Sequence, residues 1–286
     1  MLYLLYKIGL FILRIVNLNI VYSIASFVAK LKCNFSKKDR ETVKRNLCVV
    51  IPKAGERELA LLTEDVFINF GKYLVDFFWL IKGERHYLKN AVQFIGLENL
   101  DEALKDNRGC IIITGHFGNW ELAGCALANL GYKINVVALV HNDPRINNLF
   151  VAQRKRAGIN VIPIGLAKTE CQKALHRNEV IAILGDRPYG DHGIKVKFFD
   201  RTTIVPRGAA LFSIKNGSPI VLAFTYKEDT RRNIYKVVFE KPLFIKKEGP
   251  HDKQLKDITQ GVMNRFEYYI KRYPSQWYMF NKVWEE

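Results

Sequence analysis

Cysteine is scarce in this chain, with five among 286 residues. Cys33, Cys48, Cys110, Cys125 and Cys171 are odd in number and contain no close pair of the redox or zinc-binding kind, which argues against a disulfide framework and a cysteine-rich metal centre. They read as reduced thiols, and Cys110 and Cys125, set in apolar runs, as small buried hydrophobes. Acidic residues are few as well: 28 Asp and Glu stand against 44 Lys and Arg, a formal net charge of +16. Such an excess points to an anionic partner, either membrane lipid, an acidic protein or nucleic acid. A nucleic-acid-binding protein is the alternative of a different class, but no Arg-rich or aromatic recognition motif stands out and the N-terminus is apolar, so no nucleic-acid partner is expected. Internal repeats and low-complexity tracts are also lacking.

The first thirty residues are apolar, but Lys7, Arg14, Asn17 and Asn19 interrupt them, which weakens a simple spanning reading that would need about 20 mostly apolar residues. No small-residue cleavage site closes the stretch, so it is not a good secretory signal. On a helix, Lys7 and Arg14 fall on nearly the same face, which suits a segment lying in the membrane interface with its basic side chains reaching for phosphates. The basic run KLKCNFSKKDRETVKR follows directly and favours attachment to an anionic membrane surface. The expected organisation is a membrane-associating segment over residues 1–32 and one catalytic domain over 33–286.

With 49% hydrophobic residues, the chain can bury a full core. Residues 55–82 carry apolar positions at three- and four-residue spacing and predict one long helix, ending in the cluster Phe77, Phe78, Trp79 and Leu80, which suits either core or membrane. Beyond about residue 91 the pattern changes. Short apolar runs at 110–114, 135–140, 160–164, 180–184 and 219–224 alternate with helical stretches, and 252–273 reads as a closing helix. The fold class expected is α/β, a mostly parallel sheet flanked by helices.

The chemistry concentrates in GCIIITGHFGNWELAGCALANLG. A buried strand runs into Gly115, His116 and Gly118, and an amphipathic helix follows, so the catalytic candidates lie at the C-terminal end of a strand, where open α/β sheets place their ligands. His116 and Glu121 are separated by roughly 500° on a continuous helix and cannot pair as helical neighbours. With His116 in the turn and Glu121 in the first helical turns, the carboxylate is expected to return to one imidazole nitrogen and orient the ring as a general base. Backbone amides around Gly115 and Gly118 are oxyanion candidates. Asn119 suits a helix cap, or a contact that binds substrate or orients the histidine. Asp186 and Arg187 end another apolar run and should project from the same sheet edge, or else form a surface pair at a turn expected through Pro188 and Gly190, and Arg154 and Arg156 suit either phosphate recognition or a solvated helix face. A metal-dependent hydrolase would need a second well-placed histidine, which is missing; no metal and no cofactor are expected.

The string GHFGNWE after an apolar strand resembles the lipid A biosynthesis late-acyltransferase branch of the lysophospholipid acyltransferase superfamily, with its HxxxxE motif on His116 and Glu121. RNLCVVIP (45–52), GDRPYG (185–190), VKFFDRTTIVPRGAALFSIKNGSPIV (196–221) and RYPSQWYMFNKVW (272–284) follow the order of that family. Asp200, where Gly is expected, and Asn281, where His is common, depart from it. The resemblance implies a glycerolipid-acyltransferase-like fold and transfer of a fatty acyl chain from acyl carrier protein, or acyl-CoA, to a hydroxyl of a lipid A precursor or another glycolipid or lysophospholipid. It also implies a site at the cytoplasmic face of the inner membrane, and an Asp186 that lies near the acceptor or stabilises the site.

Overall fold

A computed structural model describes residues 2–80, 85–187, 193–245 and 249–284. The chain begins with four helices: α1 (Leu2–Ile15), α2 (Leu18–Phe35), α3 (Lys37–Val50) and α4 (Glu56–Trp79). The N-terminal stretch is therefore two helices. Asn17, an interruption in the sequence pattern, takes an extended conformation and caps α2 by accepting from the Asn19 amide at 2.9 Å. The domain boundary expected after residue 32 falls inside α2. Phe77, Phe78 and Trp79 are buried, which assigns their cluster to the core.

The α/β part runs α5 (Arg85–Ala91), β1 (Val92–Ile95), α6 (Glu98–Leu104), β2 (Cys110–Thr114), α7 (Trp120–Asn129), β3 (Ile134–Ala138), α8 (Pro144–Arg156), β4 (Asn160–Pro163), α9 (Ala167–His176) and β5 (Val180–Leu184). It continues with β6 (Gly193–Phe198), β7 (Arg201–Pro206), α10 (Gly208–Asn216), β8 (Ile220–Tyr226), β9 (Tyr235–Phe239) and α11 (His251–Arg272). Seven strands form one sheet in the order β1-β9-β8-β2-β5-β3-β4, parallel at every pairing except β8 with β9.

The central strands read as continuous apolar runs because both of their faces are covered. Ile111, Ile113, Ile181, Ile220 and Leu222 face α11, whose Met263, Phe266 and Ile270 complete that layer. Cys110, Ile112, Val180 and Val221 face the opposite way, against Leu122, Cys125 and Ala126 of α7. Two faces filled at alternating positions fix the register, since a one-residue slip would exchange the two sets. The separate β6–β7 hairpin turns through Phe199 and Asp200, both left-handed at φ 52° and 61°. That explains why glycine is the expected residue at 200: Asp is among the few others that enter this region readily.

Among the described residues no helix is long and apolar enough to cross a membrane. The outer faces of α1 and α2 are nevertheless apolar. Leu4, Leu5, Ile8, Phe11 and Ile15 are exposed along one stripe of α1, and Ile20, Ile24, Phe27, Leu31 and Phe35 along one stripe of α2. Lys7 and Arg14 are exposed on α1 as well.

Candidate active site

Strands β2 and β5 are adjacent and parallel, pairing Cys110 with Val180 and Thr114 with Leu184. Carried two residues past both strands, this constant offset sets His116 beside Asp186. His116 Nδ1 lies 2.7 Å from Asp186 Oδ1, and the His116 amide donates to Asp186 Oδ2 at 2.9 Å. Trp277 Nε1 donates to the same oxygen at 3.1 Å. Asp186 has no exposed surface. Burial, the largest influence, acts to raise its carboxyl, but the neighbouring His116 and the three hydrogen bonds outweigh it and hold the group below the usual carboxylate range.

Two glycines make this approach possible. A Cβ at Gly115 would stand 2.4 Å from the Phe266 ring and 3.1 Å from Asp186 Oδ2, so a side chain there would push the strand end off its carboxylate. Gly118 has φ +60°, and a Cβ on it would lie 1.6 Å from the Thr225 carbonyl oxygen, which no adjustment of a side chain can relieve. The Gly118 amide donates to the Gln276 carbonyl at 2.8 Å and the Tyr278 amide donates to the His116 carbonyl at 2.7 Å. The segment 275–279 thus clamps the histidine turn, held in turn by Asn69 Nδ2 on the Ser275 carbonyl at 3.1 Å and Asn46 Nδ2 on the Met279 carbonyl at 2.9 Å. With its N–H committed to Gln276, Gly118 does not supply the oxyanion donor expected of it. The part that Gly115 plays here is steric.

Glu121 does not reach the imidazole as expected. Its carboxylate turns away to α8 and receives Arg154 Nε at 3.0 and 3.2 Å and Arg154 Nη2 at 2.5 Å, a forked pair with 4% and 13% of the two side chains exposed. Burial opposes the guanidinium charge, and the facing Glu121 more than offsets it, so the Arg154 pKa is raised. Asn119 is fully buried, caps α7 by accepting from the Leu122 amide at 3.0 Å, and donates to Asp76 Oδ2 at 3.2 Å. It caps the helix, and it lies outside the lining of the cavity described below. Arg156 is exposed on α8 and lies off the cavity described below, and Asp186 serves His116 and has no open face toward a substrate. The turn through Pro188 and Gly190 lies outside the described residues.

His116, Glu121, Arg154 and Arg187 open onto one cavity of about 610 Å³, within the range of about 300–1,000 Å³ common to small-molecule sites. From His116 its lining continues between α7 and the sheet, along Gly124, Leu127, Ile112, Val136, Ala182 and Val237, all apolar or without a side chain. Trp120 stacks on Tyr73 at 4.5 Å and meets the His116 ring edge to face at 5.3 Å, all three in the cavity lining. Among the described residues no three His, Cys, Asp or Glu side chains cluster to hold a metal ion. All five cysteines are free thiols, and burial raises the Cys110 and Cys125 groups above their usual range.

An imidazole backed by a buried carboxylate at the carboxyl edge of a mostly parallel sheet, beside a largely apolar cavity, suits acyl transfer, and the comparisons show the class: this is an acyltransferase. More narrowly, the chain belongs to the family of bacterial lipid A biosynthesis acyltransferases, whose profile matches residues 1–286. Similar proteins include the phosphatidylinositol mannoside acyltransferase of Mycolicibacterium smegmatis, 25% identical over 85% of this chain and 79% of its own length. The phosphatidylinositol mannoside acyltransferase of Mycobacterium tuberculosis strain CDC 1551 is 25% identical over 76% of this chain and 68% of its own length.

The sequence motif missed two partners. Trp277, the third donor to Asp186, sits in a string noticed only for its family order. The role of Asp186 had a readable signal: apolar runs at 110–114 and 180–184, if paired in register, set residues 116 and 186 side by side.

Proposed function

We infer that this enzyme moves a fatty acyl chain from an acyl thioester to a hydroxyl of a glycolipid at a membrane surface. The observation that carries the reading is the His116–Asp186 pair at the mouth of the apolar cavity. With Nδ1 held by Asp186, Nε2 is the nitrogen left to take the proton of the acceptor hydroxyl as its oxygen attacks the thioester carbonyl. Collapse of the tetrahedral intermediate breaks the C–S bond and the imidazolium, steadied by Asp186 in between, returns its proton to the departing sulfur, which leaves as the thiol. The acyl chain lies between α7 and the sheet, where burial contributes about 0.8 kcal/mol per methylene. Glu121 and Arg154 hold the mouth, and Arg187 is positioned for an anionic group on donor or acceptor.

The family is named for lipid A and the relatives for phosphatidylinositol mannoside, so a glycolipid acceptor is the common element, and a lipid A precursor is one member of that class. Acyl carrier protein suits a chain of net charge +16 as donor, because its acidic surface would be steered to the enzyme. The apolar stripes of α1 and α2, with Lys7 and Arg14 beside them, seat the protein on anionic lipid, which we assign to the cytoplasmic face of the inner membrane.

The decisive experiment incubates the purified protein in detergent with acyl thioesters of graded chain length and a panel of glycolipid and lysophospholipid acceptors, and reads products by mass spectrometry. A mass increment of one acyl chain on a glycolipid, absent with His116→Ala, is expected. Acylation of lysophospholipids alone, or undiminished transfer by a folded His116→Ala protein, would overturn the reading. For the membrane, deleting residues 1–30 should abolish co-sedimentation with anionic vesicles, and equal sedimentation of the two forms would place the attachment elsewhere.

A further inference from the structure

Asp76, near the end of α4, has no exposed surface and receives side chains from four other places in the fold. Oδ1 accepts from the hydroxyls of Tyr22 on α2 and Tyr87 on α5, the latter at 2.7 Å. Oδ2 accepts from the Tyr235 hydroxyl of β9 at 2.7 Å and from Asn119 Nδ2 at 3.2 Å. Four donors fill the acceptor sites of one carboxylate. A buried carboxylate costs stability unless it is fully bonded, and apolar residues of similar volume often do as well, so its presence asks for a reason other than stability.

The reason is at Asn119. A side-chain amide fits its space in either of two orientations. A carboxylate only accepts, so it takes the NH2 end and leaves the oxygen to face the Leu122 amide, which it caps at 3.0 Å. That cap, three residues after His116, starts the turn of α7 that carries Glu121 to Arg154. We propose that Asp76 is a positioning residue for acyl transfer: it fixes the Asn119 cap, and through it the first turn of α7, against the helical layer of α2 and α4. The role rests on the acyl-transfer reading above for its catalytic consequence, but its structural part stands independently.

The test compares wild type with Asp76→Asn, which keeps one accepting oxygen, and Asp76→Ala, which keeps none. Hydrogen exchange is followed by mass spectrometry in peptides covering 117–125 and, as internal reference, β2 and β8. Turnover is read with water as acyl acceptor, by release of thiol from an acyl thioester. In both variants the amides of 119–123 should exchange faster, on the order of fivefold for Asp76→Ala, as loss of one helix cap predicts, and less for Asp76→Asn, with β2 and β8 unchanged. kcat should fall in the same order while KM for the thioester stays within about twofold of wild type. Equal exchange in the 117–125 peptides of a folded Asp76→Asn protein and wild type would overturn the proposal, and so would faster exchange spread evenly over β2 and β8. If Asp76→Ala does not fold, Asp76→Asn alone decides. Should wild type release no thiol either with water or with the glycolipid panel above, the acyl-transfer reading has failed, and the exchange data still decide whether Asp76 sets the cap.

Discussion

Two buried carboxylates stand beside the same cavity, Glu121 in its lining and Asp186 behind His116, and they are spent differently. Asp186 stands on a loop continuing a strand and holds a titratable ring; Glu121 stands on a helix and holds a guanidinium that is always charged. The first pair is set by sheet register, the tightest geometric constraint in the fold, and its imidazole can exchange a proton with a substrate. The second is a tertiary contact between α7 and α8 with no proton to exchange. It ties together the two helices that flank the mouth. We propose that the first pair does the chemistry and the second keeps the site in shape; the sequence motif joins His116 to Glu121, whereas the structure pairs His116 with Asp186 and Glu121 with Arg154.

The division breaks down if the two pairs respond alike to mutation. The largest effect should come from His116→Ala, with kcat lower by about 10² to 10⁴, measured as thioester turnover on protein shown to be folded by circular dichroism. Stability should suffer more from Glu121→Ala, which strands a buried guanidinium and should cost about 3–5 kcal/mol in urea denaturation. Removing both charges, as Glu121→Leu with Arg154→Met, should return most of that loss, because the cost lies in the uncompensated charge. If His116→Ala destabilises as much as Glu121→Ala while turnover survives, the assignment of roles is reversed.

Acid sensitivity sharpens the comparison further. The Asp186 carboxyl is held below the usual range in the folded protein, so its contribution to stability is present above the unfolded value, about 3.9, and is lost as pH falls through the folded value. The difference in melting temperature between wild type and Asp186→Asn should therefore be flat above about pH 5 and shrink below about pH 4. A gap that does not change down to pH 3 would show that the pair is not formed with an ionised carboxylate. The smallest effect belongs to Trp277→Phe, which removes one donor to a charged acceptor. A loss of about 1.5 kcal/mol, with a few-fold drop in kcat and no change in thioester KM, would fit a bond that steadies Asp186 from behind.

Much of this architecture can be read in the sequence where local physics decides it. The runs at 110–114 and 180–184 are strands at those residues, and 252–273 differs from α11 by one position at each end. The strands at one edge were not legible, whereas β3 and β4 at the other were: β1 and β9 alternate buried and less buried positions over four and five residues, too short to stand out. The site divides in the same way. His116 was evident from its strand, turn and helix. The partner of Glu121 was not, because Arg154 lies on another helix and only packing brings it near. The role of Asn119 was half legible: a cap is local, but the carboxylate that orients it arrives from α4.

The clamp formed by residues 275–279 has a consequence for biosynthesis. Those residues leave the ribosome after every strand of the sheet, yet two backbone bonds of the histidine turn, to the Gln276 carbonyl and from the Tyr278 amide, depend on them. A nascent chain that has already completed its sheet still lacks the strap that closes the turn and the indole behind Asp186. Translation therefore delivers the last structural part of the candidate site after the scaffold, and a released chain truncated before residue 275 would keep every strand and α11 yet leave its histidine turn without that strap.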